Sequence, residues 1–446
     1  MISIICFLLT AAVLFGAVGE RSPMDKAFNT FWKAGGPTSR GRAVKKILKI
    51  NPSFEEVFKR LKAGRTYSAE VKRGLQTGRR AGIRGTRYPY AFYIPTTYDP
   101  ARRNIVIFYL HGGVGSGLSR RIGWWNDSLE GMGKDKDKCI SVFPVSWNES
   151  MWWEYGQVKN LGGILELLKQ DYNIDENRVN MMGFSDGASA AFYYASKDTT
   201  PWAAFIPIIG SPNVLNSPGI RVDGEIFAAN LSSKPFLVIN GGRDPLYPAA
   251  EVKPFAELFR SAGCEIDFVP KPGYGHSMDW WSEEEQRVEN FIGGHRRKPY
   301  PDALVWETED TERFGRAHWL VVTRLGSVAG ESELNPWNII HPKGNEGSRR
   351  TAFVRKNPSG RVILQKKGNR VDAYTQGVKE FKLLISPEVF NFERPIRVFT
   401  NGAEVFSGQV SEDTSVLLKW AALDNDRTML FGAELTIIVQ SSRVNE

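Results

Sequence analysis

At 446 residues the chain is long enough for two domains, and its 42% hydrophobic and 24% charged fractions are those of a globular protein. The net charge of +9 is moderate for that length, and basic pairs such as Arg79-Arg80, Arg120-Arg121 and Arg296-Arg297 are scattered along the chain. No recognition-helix or zinc-finger spacing accompanies them, which argues against nucleic acid as a partner and for a solvated basic surface.

The chain opens with an almost wholly apolar run, Ile2 to Val18, and Ala17-Val18-Gly19 puts small residues at the −3 and −1 positions before Glu20. This predicts a signal peptide over 1–19 and a secreted or periplasmic protein with no stable membrane association once cleaved. No Lys or Arg precedes the run, so an uncleaved membrane anchor is the competing reading. Cys6 lies inside the run. Cys139 and Cys264 border apolar strands and are expected as small buried hydrophobes, without a disulfide or zinc-ligand spacing.

Residues 20–66 read as a helical lead-in, with helices over Asp25–Lys33, Arg42–Leu48 and Ser53–Leu61, packed on the main domain. Two strands, Tyr67–Gly74 and Tyr88–Tyr93, come next. From Asn104 the pattern is α/β. Apolar runs at Asn104–Leu110, Cys139–Val145, Val179–Met182, Ala203–Ile209, Pro235–Asn240 and Glu265–Val269 alternate with helical stretches such as Gly156–Gln170 and Ala250–Ala262. That alternation predicts a mostly parallel sheet with helices on both faces, and ligands at the carboxyl ends of its strands. Gly293 to Pro301 reads as a linker. Beyond it, short runs at Trp319–Thr323, Ala352–Val354, Arg361–Gln365, Phe381–Ile385, Ile396–Thr400, Glu404–Val410 and Glu434–Val439, one helix at Ser415–Leu423, and the Asn401-Gly402 turn predict a β-sandwich-like domain. The expected organisation is an α/β domain over 67–298 and a smaller β-rich domain over 299–446.

The chemistry centres on Arg178 to Ala191, RVNMMGFSDGASAA. A strand runs into Gly183-Phe184-Ser185-Asp186-Gly187 and then into a small-residue helix, the setting of a nucleophile elbow. A serine hydroxyl needs an imidazole to take its proton, and the imidazole needs a carboxylate to hold its tautomer. Downstream, Asp244 follows the strand Pro235–Asn240, and His276 follows Glu265–Val269 in a glycine loop, in the order acid then base. Asp279 is the rival acid and Ser116 the rival nucleophile. For the oxyanion hole the candidates are the N–H of Asp186 and, from His111-Gly112-Gly113-Val114, that of Gly113 or Val114. His111 reads as a loop-fixing residue. Nothing in the pattern asks for a metal or a cofactor.

Residues 67–298 resemble the α/β-hydrolase superfamily, nearest to secreted esterases of the feruloyl esterase and polyhydroxyalkanoate depolymerase-like group. The resemblance rests on YLHGG, DENRVNMMGFSDGASAA, VINGGRDPLYP and GYGHSMDWW. It implies an α/β-hydrolase fold and an acyl-enzyme mechanism on small-molecule or polymer carboxylic esters. The chain departs from that group in its dense tryptophans, Trp124-Trp125, Trp147, Trp152-Trp153 and Trp280-Trp281. These read first as packing, with Trp153 and Trp281 as candidate substrate contacts. The C-terminal segment resembles uncharacterised domains appended to bacterial secreted hydrolases, which implies no activity for it, and no protein partner is legible. Two other readings compete: a prolyl-oligopeptidase-like serine peptidase, although the short lead-in leaves no room for a propeller, and a non-catalytic polysaccharide-binding or adhesion protein on the same fold.

Overall fold

The computed structural model describes residues 22–326, 337–340, 349–353 and 355–440. The signal-peptide reading over 1–19 lies outside them, as does Val354 of the strand expected at 352–354. Among the described residues, no helix is long and apolar enough to cross a membrane.

Three helices come first: α1 (Pro23–Trp32), α2 (Pro37–Leu48) and α3 (Phe54–Ala63). Ser22 and Asp25 form a reciprocal capping box on α1, and the Ser53 hydroxyl accepts the Glu56 N–H at the start of α3. The expectation that this lead-in packs on the main domain is corrected. Its apolar face, including Phe28, Phe31, Ile47 and Leu61, is buried against Leu417, Leu418 and Ala421 of a helix near the other end of the chain. Arg40 ties it to the rest, donating to the Ala422 carbonyl and pairing with Glu166 at 2.5 Å.

The central sheet has eight strands: β1 (Gly74–Ala81), β2 (Arg87–Ile94), β3 (Asn104–Leu110), β4 (Ile140–Pro144), β5 (Ile174–Phe184), β6 (Phe205–Ile208), β7 (Phe236–Gly241) and β8 (Ile266–Lys271). Their order is β1-β2-β4-β3-β5-β6-β7-β8. β2 runs antiparallel to both neighbours, and β4, β3 and β5 to β8 are parallel. The strand expected at Tyr67–Gly74 begins where that range ends. GLQTGRRA is an edge strand with one half-buried face, so it carries no apolar run to announce it.

Helices α5 (Tyr155–Asp171), α6 (Asp186–Lys197) and α7 (Ala249–Ser261) cover one face of the sheet, and α4 (Trp124–Met132) and α8 (Trp281–Gly294) the other. β3 shows how sequence sets this division. Val106, Phe108 and Leu110 enter the first core and Ile107 and Tyr109 the second, as the two-residue repeat of a strand requires.

Past residue 302 the strands are β9 (Ala303–Thr308), β10 (Arg316–Ala317), β11 (Leu320–Leu325), β12 (Trp337–Ile340), β13 (Arg349–Ala352), β14 (Gly360–Lys367), β15 (Arg370–Gln376), β16 (Val378–Ile385), β17 (Ile396–Thr400), β18 (Ala403–Gly408) and β19 (Ala433–Ile438), with helix α9 (Thr414–Asp424) before the last. A five-stranded sheet, β18-β17-β15-β14-β9, and a four-stranded sheet, β10-β11-β16-β19, bury a shared core around Trp306, Val362, Phe381 and Phe431. β9 and β15 had no counterpart in the sequence reading.

The stretch expected as a linker, residues 293–301, is anchored. Arg297 is 4% exposed, and its guanidinium meets Asp426 at 2.6 Å and Asn177 at 2.9 Å. Arg427 grips Glu176, and the Lys197 ammonium at the end of α6 meets Glu309 at 2.8 Å with both side chains buried. The sheet section and the β-rich section therefore share a seam of buried ion pairs.

Candidate active site

The elbow follows from what its glycines permit. Ser185 sits at φ +54°, ψ −116° between the end of β5 and the start of α6, a strained backbone that aims its side chain out of the sheet. A Cβ on Gly183 would lie 1.9 Å from the Gly187 carbonyl oxygen, and one on Gly187 would lie 2.0 Å from that of Leu110 in β3. Strand, turn and helix cross too closely for any side chain at either position.

Asp244 follows β7 and is buried. One carboxylate oxygen accepts the N–H groups of Leu246 and Tyr247, at 2.8 and 2.9 Å, and the other accepts His276 Nδ1–H at 2.8 Å. With its proton on Nδ1, His276 presents Nε2 as an acceptor, and the Ser185 hydroxyl stands 3.1 Å from it. The Tyr247 ring lies 5.8 Å from the imidazole, and burial pushes its phenol up to about 12, so it stays neutral there. The rival acid Asp279 instead accepts the Ser277 hydroxyl, and Ser116 accepts from Arg121.

The loop after β3 meets the elbow through an unexpected contact. The Val114 N–H donates to Asp186 Oδ2 at 2.9 Å, so it is occupied. This corrects Val114 as an oxyanion donor. The N–H of Gly113 and that of Asp186, at the unsatisfied first turn of α6, have no acceptor among the described residues. Arg121 also borders this loop, with a guanidinium nitrogen where a Cβ on Gly113 would be. The sequence pattern assigns no role here to the Asp186 carboxylate or to Arg121, which it shows only as one of the scattered basic pairs. The acidic residue directly after the serine was the one available signal.

His111 is held as expected. Its Nε2 accepts the Ser146 N–H at 3.1 Å, its Nδ1–H donates to the Gly112 carbonyl, and burial lowers its pKa to about 4. Trp124 and Trp152 meet its ring edge-on, and Trp152 Nε1–H donates to its carbonyl. Trp153 is a second correction: at 1% exposure, inside the core beneath α5, it cannot touch a substrate. Trp281 does line open space, a cavity of about 850 Å³ that begins beside Gly112, Phe184 and Met278. Cys139 and Cys264 are free and buried, and burial holds both thiols well above their usual range.

One group of carboxylates among the described residues, Asp135, Glu285 and Glu289, is close enough together to hold a cation. The Lys138 ammonium already pairs with Asp135 and Glu289. The site itself is a hydroxyl, an imidazole and a buried carboxylate in line, beside two free N–H groups. That set can transfer a proton while an oxygen attacks an acyl carbon and can receive the charge that forms.

Over 131 residues the chain is 26% identical to the bifunctional acetylxylan esterase/xylanase XynS20E of Neocallimastix patriciarum, covering 28% of this chain and 18% of that protein. The chain thus spans under a fifth of that relative's length. Among solved structures, similar chains include a thermostable esterase (18% identity, 50% of this chain and 63% of that one, TM-score 0.39) and a ferulic acid esterase (16%, 49% and 96%, TM-score 0.38). Residues 147–293, which span the elbow, Asp244 and His276, match the Dienelactone hydrolase family. Over those residues the chain resembles the Dienelactone hydrolase family, and its sheet order and strained serine elbow after β5 are those of an α/β-hydrolase fold.

Proposed function

We propose that the protein is a secreted serine hydrolase that cleaves carboxylic esters through an acyl-enzyme. The observation that carries the reading is the unbroken relay from Ser185 Oγ to His276 (3.1 Å) and from His276 to Asp244 (2.8 Å). Its members stand just past the carboxyl ends of β5, β8 and β7. As Ser185 Oγ attacks the ester carbon, His276 Nε2 takes the hydroxyl proton and Asp244 balances the imidazolium. The N–H groups of Asp186 and Gly113 receive the tetrahedral oxyanion. Collapse breaks the bond to the alcohol oxygen, which leaves with the proton from His276. Water then repeats the cycle and releases the carboxylic acid.

The family match and the esterase named in the N. patriciarum relative support an ester over a peptide bond. Export rests on the apolar run Ile2 to Val18, and N-terminal sequencing of the mature protein tests it. Activity is tested by turnover of p-nitrophenyl acetate beside a peptide p-nitroanilide panel. The expected result is ester hydrolysis that Ser185→Ala abolishes and little peptide hydrolysis. Peptide cleavage that outruns ester cleavage would replace this reading with a peptidase.

A further inference from the structure

The cavity beside the elbow is a corridor, and three independent periodicities build it. On β3 the alternate side chains Ile105, Ile107 and Tyr109 face it, and on β5 so do Met182 and Phe184. On α4 the lining residues include Trp124, Asp127, Ser128 and Gly131, at helical spacing, and on α8 they include Trp281, Glu285, Val288 and Ile292. One strand face and two facing helix stripes therefore leave a gap along the sheet that side chains do not fill. Its volume of about 850 Å³ lies within the range of small-molecule sites.

Two features give the corridor a direction. One end is the active site: Gly112 lines it, and a Cβ placed on Gly112 would lie 3.1 Å from Ser185 Oγ. The other end is a charged rim formed by Asp135, Lys138 and Glu289. Between them the wall follows β3 from Ile105 to His111, which at strand rise is about 20 Å, the length of an extended acyl chain of roughly fifteen carbons. The walls are mainly apolar over that length; the polar side chains on them are Asp127, Glu285 and Ser128, whose hydroxyl donates to the Trp124 carbonyl of its own helix.

We propose that this corridor binds the acyl chain of the substrate, so that the preferred esters are those of long unbranched aliphatic acids. The proposal rests on the serine-esterase reading. The acyl group is the part that stays bonded to Ser185 Oγ until water arrives, so it gains from a long enclosed seat. The alcohol must leave past His276 and gains nothing from one. Each methylene moved from water to an apolar wall favours binding by a factor of up to about four.

Four measurements test this. In wild type, kcat/KM for p-nitrophenyl esters should rise at least about tenfold from butyrate to laurate, since only part of the transfer gain is realised in the transition state. Ser128→Phe, and separately Gly131→Leu, should lower laurate hydrolysis at least about tenfold and leave acetate hydrolysis within about twofold. Gly131 sits in a helix with nothing within 4 Å of its Cβ position, so the second variant should fold if the first does not. In Ser185→Ala, 11-(dansylamino)undecanoic acid should bind saturably, be displaced by laurate, and lose its site when Ser128→Phe is added. Fatty-acid binding with no ester turnover would uphold the corridor and overturn the esterase reading. Equal turnover of acetate and laurate with no fatty-acid binding would overturn the corridor and leave the esterase standing. Faster hydrolysis of dodecyl acetate than of ethyl laurate would also overturn it, by assigning the corridor to the alcohol.

Discussion

Asp186 and Val114 join the two halves of the candidate oxyanion hole, with the Val114 N–H donating to the Asp186 carboxylate at 2.9 Å. One residue thus supplies a backbone donor to the hole and, through its side chain, fixes the loop that supplies the other. Asp186→Ala should lower kcat about 10- to 100-fold, the worth of a hydrogen bond to a charged group, with KM changed much less. Asp186→Asn keeps an acceptor and should recover most of the loss. Steady-state kinetics on p-nitrophenyl acetate checks both, and equal losses in the two variants would contradict a positioning role.

Both Asp244 oxygens are engaged, one by the Leu246 and Tyr247 N–H groups and the other by His276. In Asp244→Asn one of these contacts must face an NH2 group, and the imidazole loses the partner that holds its proton on Nδ1. Turnover should fall by about three to four orders of magnitude, with the fold kept. Kinetics beside a circular dichroism spectrum is the check.

His111 links the oxyanion loop to acid stability. Burial lowers its pKa from 6.5 to about 4, so between those values the unfolded chain binds a proton that the folded chain does not. Its contribution is complete above pH 6.5 and is lost as pH falls towards 4, for a total of about 3 kcal/mol. His111→Gln, which can still accept the Ser146 N–H, should flatten that limb in urea titrations at stepped pH. An unchanged slope would assign the acid sensitivity elsewhere.

The pair Lys197–Glu309 anchors the far end of the helix that Ser185 begins. Lys197→Met leaves the Glu309 carboxylate buried without that cation and should cost about 3 to 5 kcal/mol. Adding Glu309→Gln, which still accepts the Glu225 N–H, should restore part of the loss. Calorimetry of the single and double variants measures it, and a double variant no more stable than Lys197→Met would contradict the account.

How much of this was legible in the sequence depended on how local each signal was. β3, NIVIFYL, and β4, ISVFP, announce themselves because parallel strands buried on both faces must be apolar throughout. The turn after each strand could then be searched for Ser185, Asp244 and His276, which the structure brings within hydrogen-bond reach. β1 and β15 were missed because GLQTGRRA and RVDAYTQ alternate with polar residues and lack a continuous run. The packing of α1 to α3 on α9 joins segments at opposite ends of the chain, and no local pattern encodes such a pairing. Trp153 and Val114 were misjudged for one reason. Whether a ring is buried, or an N–H is occupied, depends on neighbours that strand and helix patterns do not specify.

The central claim is that Ser185 is a nucleophile activated by His276. Its most direct test is labelling with a fluorophosphonate, followed by mass spectrometry of the modified peptide. One adduct, on Ser185, is expected in wild type and none in Ser185→Ala, with labelling slowed by orders of magnitude in His276→Ala. Labelling at another serine, or equal labelling rates in wild type and His276→Ala, would contradict it.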